Sequence, residues 1–123
     1  MNLDMTRYRL SRHARADLAH ILETSAQMWG AEGRRRYAAL LAAALRQAAS
    51  DPDGRSTRDC GELLRGLRSL HLRHVRTDAP LAKVRRPVHS LYYRTVRPGL
   101  IEIVRVLHER MEPGRHLGGS TET

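Results

Sequence analysis

The stretch "VHSLYYRTVRPGLIEIVRVLH" (residues 88–108) has the form of two strands joined by a tight turn. Residues 88–96 and 100–108 are rich in Val, Ile, Leu and Tyr, which favour extended structure. Between them, "RPG" (97–99) supplies the proline and the glycine that short turns favour. We therefore predict a β-hairpin here. The stretch "GLRSLHL" (66–72) predicts a third strand.

Two helices are predicted before these strands. Ser11 can cap a helix whose apolar residues follow helical spacing as far as Trp29, and Gly30 provides its stop. With a short connection between them, this helix and the next should form an antiparallel hairpin. The second helix carries the strongest periodic pattern in the chain, made by Tyr37, Leu40, Leu41, Ala44, Leu45 and Ala48.

The order of elements is therefore β-α-α-β-β-β, because "TRYRL" (6–10) alternates like a half-buried strand ahead of the helices. We read 51–65 as a loop with one short helical turn near 62–64, and 73–87 as a loop or a ragged hairpin arm. The predicted class is α+β, with a helix hairpin packed on a small, mainly antiparallel sheet. The other face of the sheet is left open, and a basic open face would be a binding surface.

The bulk properties fit one compact domain with an acidic partner. The chain has 123 residues, 41% of them hydrophobic, and a net charge of +9 from 22 basic and 13 acidic residues. Such a charge favours nucleic acid, an anionic membrane or an acidic protein segment as the partner. Cys60 is the single cysteine, so no internal disulfide is expected. With no leader and no apolar run of the ~20 residues that a membrane helix needs, we expect a soluble, cytoplasmic protein.

Four arginines are candidates for an anion-binding surface. Neighbouring strands lie ~5 Å apart, so side chains on one face of adjacent strands can converge on a phosphate or a carboxylate. The alternative is a solvated sheet face in an arginine-rich chain. The candidates are Arg68, Arg94, Arg105 and Arg110.

Histidine, cysteine and tyrosine give weaker indications. His71 and His74 would point to opposite faces of a continued strand, and no thiol or carboxylate cluster accompanies them, so we expect no metal site. Tyr92 and Tyr93 should also face opposite ways, one into the core and one outward, where it could stack on a base. His108 with Arg110 could supply parts of an RNA-cleaving site, but their spacing alone does not assemble one.

The chain resembles the ParE branch of the RelE/ParE toxins of type II toxin–antitoxin modules. The resemblance covers residues 6–117, and its most specific parts are "YRLS" with "DL" near the start and the last strand with its polar end. The stretches that carry it are "YRLSRHARADLAHILETSAQMWG", the Ala-Leu-rich helix, "GLRS", "LYYRTV" and "IEIVRVLHERMEPGRHL". It implies a domain over residues 5–117, with flexible termini at 1–4 and 118–123.

The resemblance also implies a bacterial toxin that an antitoxin encoded beside it neutralises. ParE toxins as a class poison DNA gyrase, whereas RelE, of the same fold, cleaves mRNA on the ribosome with Lys, Arg and Tyr residues. In this chain Lys83 is the only lysine and no tyrosine follows Arg110, so we expect a gyrase inhibitor rather than an enzyme. A ribosome-dependent mRNA endoribonuclease is the alternative, and its catalytic residues would be Arg68, Arg94, His108 and Arg110.

The expected partners are a ParD-like antitoxin and DNA gyrase, alone or as its complex with DNA, with no membrane and no cofactor. Toxin and antitoxin are expected to form a hetero-oligomer. A non-toxic nucleic-acid-binding module is disfavoured, because no aromatic RNA platform or recognition helix is evident. The expected target-binding residues are Arg68, Tyr93, Arg94, Arg105, Arg110, Arg115 and His116. The expected antitoxin-binding residues are Leu18, Leu22, Tyr37, Leu41 and Arg94.

Overall fold

The structure, a computed structural model, describes residues 7–77, 79 and 83–117, so the predictions for 1–4 and 118–123 lie outside the described residues. It has the predicted α+β class. A single 3-10 turn, Leu72–His74, follows the third strand. The elements are β1 (Arg7–Leu10), α1 (Arg12–Ser50), β2 (Arg58–Asp59), β3 (Arg68–His71), β4 (His89–Arg97), β5 (Leu100–His108) and α2 (Pro113–Leu117).

The predicted β-hairpin lies at the centre of a five-stranded sheet. The strand order is β1-β5-β4-β3-β2, and only β1 pairs in parallel, so the sheet is mainly antiparallel as predicted. In the turn between β4 and β5, Gly99 has φ +86°, a conformation that favours glycine. The register between β4 and β5 shifts after Tyr92, so that Tyr92 opposes Arg105 and Tyr93 opposes Ile103. Val104 is thus the extra residue of a β-bulge.

The predicted helix hairpin is present, with one residue as its connection. α1 is helical from Arg12 to Ser50 except at Gly30, where φ is 75° and ψ is −173°. Its first arm (12–29) runs along β5 and its second arm (31–50) runs along β4, and these two strands are antiparallel. The contacts that fix the directions are Ser11–Ile103 (3.0 Å), Asp17–Val106 (2.9 Å), Tyr37–His89 (2.7 Å) and Tyr93–Pro52 (2.7 Å).

The main core lies between the helix hairpin and the sheet, and a second, smaller core lies on the opposite face. The second core corrects the prediction of an open face, because the segment 60–67 and α2 cover part of it. The second core forms because β5 is apolar on both faces. Ile103 and Val106 face the hairpin, while Val104 and Leu107 face the other way. The second core contains Cys60, Leu67, Leu107 and Leu117, with Leu63, Leu64, Tyr92 and Val104 packed against it.

The connecting segments differ from the prediction in detail. The segment 51–65 contains the two-residue strand β2, which pairs with β3. The turn predicted near 62–64 is present as a single turn that does not continue into a helix: the amides of Leu63 and Leu64 both donate to the Cys60 carbonyl, at 2.9 and 3.4 Å. Over the described residues, no helix has both the length and the apolar character to cross a membrane.

Candidate functional site

The four candidate arginines do not converge. Arg68 pairs with Tyr93 across the strands, and Arg94, one residue further along β4, points to the opposite face. The Arg68 guanidinium lies on the hairpin side, where it donates to the Thr57 hydroxyl at 3.2 and 2.8 Å and approaches the Asp53 carboxylate at 3.4 Å. The prediction that Arg68 shares a face with the other arginines is therefore wrong.

Arg105 is engaged inside the protein. Its Nε and Nη2 atoms donate to the two oxygens of Asp17 at 2.8 and 2.9 Å, and its Nη1 donates to the His116 carbonyl at 3.3 Å. The side chains of Arg105 and Asp17 are only 16% and 14% exposed. The bond to Asp17 raises the pKa of Arg105, so the cation is locked to its carboxylate. This corrects the expectation that Arg105 is an open target contact, and Asp17 is a partner that the sequence did not reveal.

Arg94 remains on the surface, in a small charged ladder across three strands. Its Nη2 lies 3.4 Å from one oxygen of Glu102, and the Nε of Arg9 on β1 lies 3.5 Å from the other. Both arginines are about half exposed, whereas Glu102 is largely shielded. One carboxylate therefore serves two guanidiniums, and a net positive charge is left at this end of the sheet for a partner.

The segment after β5, residues 109–117, is ordered and basic. After β5, the Met111 amide donates to the His108 carbonyl, and α2 then begins at Pro113. Leu117 anchors α2 in the second core. Arg110 and Arg115 are exposed, and neither forms an ion pair with any other described residue. These two guanidiniums are therefore predicted target contacts that are exposed and, among the described residues, outside any ion pair.

The two adjacent tyrosines face opposite sides of the sheet, as expected: Tyr93 lies in the main core, and Tyr92 points outward, where the second core partly buries it. Tyr93 is 1% exposed, and its hydroxyl donates to the Pro52 carbonyl at 2.7 Å. Burial raises the pKa of Tyr93 to about 12. Tyr92 is half-buried against the second core. Tyr93 thus connects the sheet to the end of α1, and its buried ring is not available for contact with a target.

A histidine group lies at the other end of β4 and β5. The Tyr37 hydroxyl accepts the Val88 amide at 3.1 Å and forms a hydrogen bond with Nδ1 of His89, 2.7 Å away. The rings of His89 and His108 meet edge to face, with centroids 5.3 Å apart. Burial, with the nearby His108 and His71, lowers the pKa of His89 to about 4, so His89 is neutral at pH 7.

Glu109 joins this histidine group to the preceding loop. Its carboxylate accepts from Nε2 of His71 at 3.0 Å and lies 3.4 Å from the guanidinium of Arg86. The bond from His71 lowers the pKa of Glu109. Nδ1 of His108 accepts the Arg110 amide at 3.0 Å, but no contact joins the Arg110 guanidinium to the His108 ring among the described residues. Proton carriers are present here, while Arg68 and Arg94 lie elsewhere on the sheet.

No metal site accompanies these groups: within the part of the chain that the structure describes, no three His, Cys, Asp or Glu side chains are placed to hold a metal ion.

The hairpin offers a different apolar surface from the one predicted. Tyr37 and Leu41 are only 5% and 3% exposed in the main core, so their side chains are not on the surface, a correction to their expected antitoxin contact. Leu18 and Leu22 are half-buried and keep part of their surface in solvent. Met28 and Trp29, at the end of the first arm, are 62% and 61% exposed.

Comparison with known proteins places this geometry in a family. Residues 8–113 match the family described as "ParE toxin of type II toxin-antitoxin system, parDE". Toxin ParE1 of Mycobacterium tuberculosis is 34% identical over 112 residues, which are 91% of this chain and 98% of that protein. Toxin ParE1 of Caulobacter vibrioides is 36% identical over 115 residues, 93% of this chain and all of that protein.

The fold also matches a solved structure. A chain of the "Chromosomal ParDE TA system from P. aeruginosa" superposes with a TM-score of 0.62 at 19% identity, covering 85% of this chain and 97% of that one. At this identity the match concerns the fold alone, a helix hairpin packed on a mixed sheet.

Proposed function

Because the chain belongs to the ParE toxin family of type II toxin–antitoxin systems, we propose that it inhibits growth by binding DNA gyrase on DNA, and that a ParD-like antitoxin neutralises it. This places its action in the cytoplasm. The observation that carries the target proposal is the segment after β5, which presents Arg110 and Arg115 to solvent on an anchored scaffold. Such a surface binds carboxylates or phosphates without transferring a proton.

The ribosome-dependent mRNA endoribonuclease is the second candidate, and the group of His89, His108 and Glu109 is the observation that favours it. RNA cleavage needs a base, an acid and a cation around one phosphate. The nearest exposed cation of the segment, Arg110, has no contact with the His108 ring, and Arg68 lies on the hairpin side of the sheet. Binding asks less of this arrangement than proton transfer does, so gyrase inhibition is the better supported proposal.

Two substitutions separate these candidates. Arg110→Ala removes an exposed cation, and we expect it to weaken inhibition of gyrase supercoiling about tenfold, which matches the loss of one charge-assisted contact. His108→Gln should have a smaller effect, because the histidine faces His89 rather than the target. Arg46→Ala, at an exposed position of the hairpin, is the matched control. A toxin that cuts mRNA in a translation reaction, and loses that activity in His108→Gln, would contradict the gyrase proposal.

The antitoxin proposal rests on complementarity. An acidic, amphipathic antitoxin segment would cover the exposed parts of Leu18, Leu22, Met28 and Trp29, and its carboxylates would meet arginines such as Arg94. Aromatic side chains dominate many protein interfaces, with losses of at least ~2 kcal/mol on truncation. A segment that folds on binding buries such side chains efficiently. Toxin and antitoxin together would then form a hetero-oligomer.

The test is to mix the toxin with the product of the neighbouring gene. We expect a tight complex that elutes as one species from a sizing column. Trp29→Ala should raise the dissociation constant about thirtyfold, as the loss of one aromatic anchor implies. Met111→Ala, which truncates an exposed apolar side chain outside the hairpin, should leave it unchanged. Separate elution at micromolar concentrations would contradict the partnership, and equal effects of both variants would move the interface away from the hairpin.

A further inference from the structure

Asp17 occupies an unusual place between three elements. β1 pairs with β5 only from Leu100 to Ile103, so no strand among the described residues lies beside the outer edge of β5 beyond that point. Asp17, in the first arm of the hairpin, accepts the amide of Val106 on this edge at 2.9 Å. The same carboxylate accepts both bonds from the guanidinium of Arg105. A single side chain therefore ties the helix hairpin to the last strand.

Arg105 also connects Asp17 to α2. Its third bond, from Nη1, is donated to the carbonyl of His116 in α2 at 3.3 Å. α2 has five residues, far fewer than a helix needs to be stable alone. Two contacts that attach α2 to the rest of the protein are the packing of Leu117 into the second core and this bond to Arg105. Because Asp17 and Arg105 are both mostly shielded from water, their bonds are less screened than those of surface pairs.

We infer that Asp17 is a positioning residue: through Arg105 it holds α2, and with it Arg115, in the orientation that binding of the target requires. The inference rests on the proposed function, since Asp17 would position part of the basic segment to which we assign target binding. Asp17 needs no contact with the target for this role. Arg105, one of the expected target contacts, then acts as the strut between Asp17 and α2. Asp17 and Arg105 thereby fix the position of α2 relative to the helix hairpin.

Two substitutions probe the strut at its two ends. Asp17→Asn keeps the size of the side chain and can still accept the Val106 amide, but it removes the charge that holds Arg105. Arg105→Lys keeps a positive charge beside Asp17, but a single ammonium group lacks the planar fork needed to reach Asp17 and the His116 carbonyl together. Glu32→Gln, which removes an exposed ion pair with Arg35 elsewhere in the hairpin, is the control.

The measurement is amide hydrogen exchange along the full-length toxin, followed by gyrase inhibition with the same samples. We expect amide exchange in residues 114–117 to become on the order of tenfold faster in Asp17→Asn and Arg105→Lys, as the loss of one charge-assisted bond implies. Exchange in β4 should change much less. The concentration needed for half-inhibition of gyrase should rise by a similar factor, while the control matches the wild type in both measurements.

The outcomes separate the inference from the proposed function. Unchanged exchange in α2, or a uniform increase over the whole chain, overturns the positioning role. Faster exchange in α2 with undiminished inhibition also overturns it. Should Asp17→Asn fail to fold, Arg105→Lys decides the matter, because it retains the pair with Asp17. If the wild type does not inhibit gyrase, the proposed function is lost, and the exchange of α2 alone decides whether Asp17 holds this helix.

Discussion

His89 couples the fold to pH. Its pKa is lowered from 6.5 to about 4, mainly by burial and also by His108 and His71, while the charges of Glu109 and Asp17 act in the opposite direction. Between these two values the unfolded chain binds a proton that the folded protein does not. The free energy of unfolding should therefore fall as the pH falls from about 6.5 towards 4, by about 2 kcal/mol once partial solvent screening is allowed for. Urea denaturation at several pH values measures this.

The control for this prediction uses two histidines. His89→Asn keeps a polar group that can hydrogen-bond to the Tyr37 hydroxyl but removes the titrating group. This variant should lose less stability between pH 6.5 and 4 than the wild type. His13→Asn, on the exposed side of the hairpin, should follow the wild type. Parallel losses in the wild type and His89→Asn would show that other groups carry the pH dependence.

The pairing of Asp17 with Arg105 marks the limit of sequence reasoning at the residue scale. These residues are 88 positions apart, and no periodicity links them. Alternation along a strand gave the relative faces of Tyr92 and Tyr93, but it could not show that a second core covers the outer face. Exposure of Arg110 and Arg115 followed from their place after the last strand. A residue's partners therefore remained hidden wherever the contact depended on how two elements pack.

The reversal within α1 depends on a single backbone conformation. Gly30 has φ 75° and ψ −173°, a region that is essentially restricted to glycine. An added Cβ would meet no heavy atom within 4 Å, so the cost of a substitution comes from the backbone. Gly30→Ala should lower the free energy of unfolding by about 2 kcal/mol. Chemical denaturation at neutral pH tests this prediction.

Gly114→Ala is the matched control. Gly114 lies in α2, and an added Cβ would meet only Leu63 Cδ2, at an ordinary 4.0 Å. Alanine favours a helix over glycine by about 1 kcal/mol, so this variant should be as stable as the wild type or more so. Equal stability of Gly30→Ala and the wild type would mean that the turn adopts another conformation.

Among the elements, both arms of the helix hairpin and four of the strands were predictable, whereas β2 and α2 were not. The helix hairpin and the strands β4 and β5 follow from periodicity and from turn residues. β2 has two residues and exists because the loop returns to pair with β3. α2 contains Pro113 and Gly114, which usually end helices, and it forms where Leu117 packs into the second core. Proline is tolerated at the first helical position, so only the packing was missing from the sequence pattern.

At the scale of the whole molecule, charge and apolar surface are arranged on separate elements. Met28 and Trp29 mark the end of the helix hairpin, where we place the antitoxin. Arg110 and Arg115 mark the segment after β5, where we place the target. The chain carries a net charge of +9, which attracts acidic partners to either surface. The proposed antitoxin surface and the proposed target surface are connected through the main core, the second core and the contact between Asp17 and Arg105.

The central claim is that this toxin acts on gyrase by binding and catalyses no reaction of its own. The most direct measurement titrates the wild-type toxin into gyrase with supercoiled DNA and quantifies protein-linked broken DNA. The same sample is added to a translation reaction with labelled mRNA. We predict that broken DNA accumulates in proportion to the toxin and saturates when the gyrase sites are filled, while the mRNA stays intact. Cleavage of many mRNA molecules per toxin, with gyrase unaffected, would contradict this account.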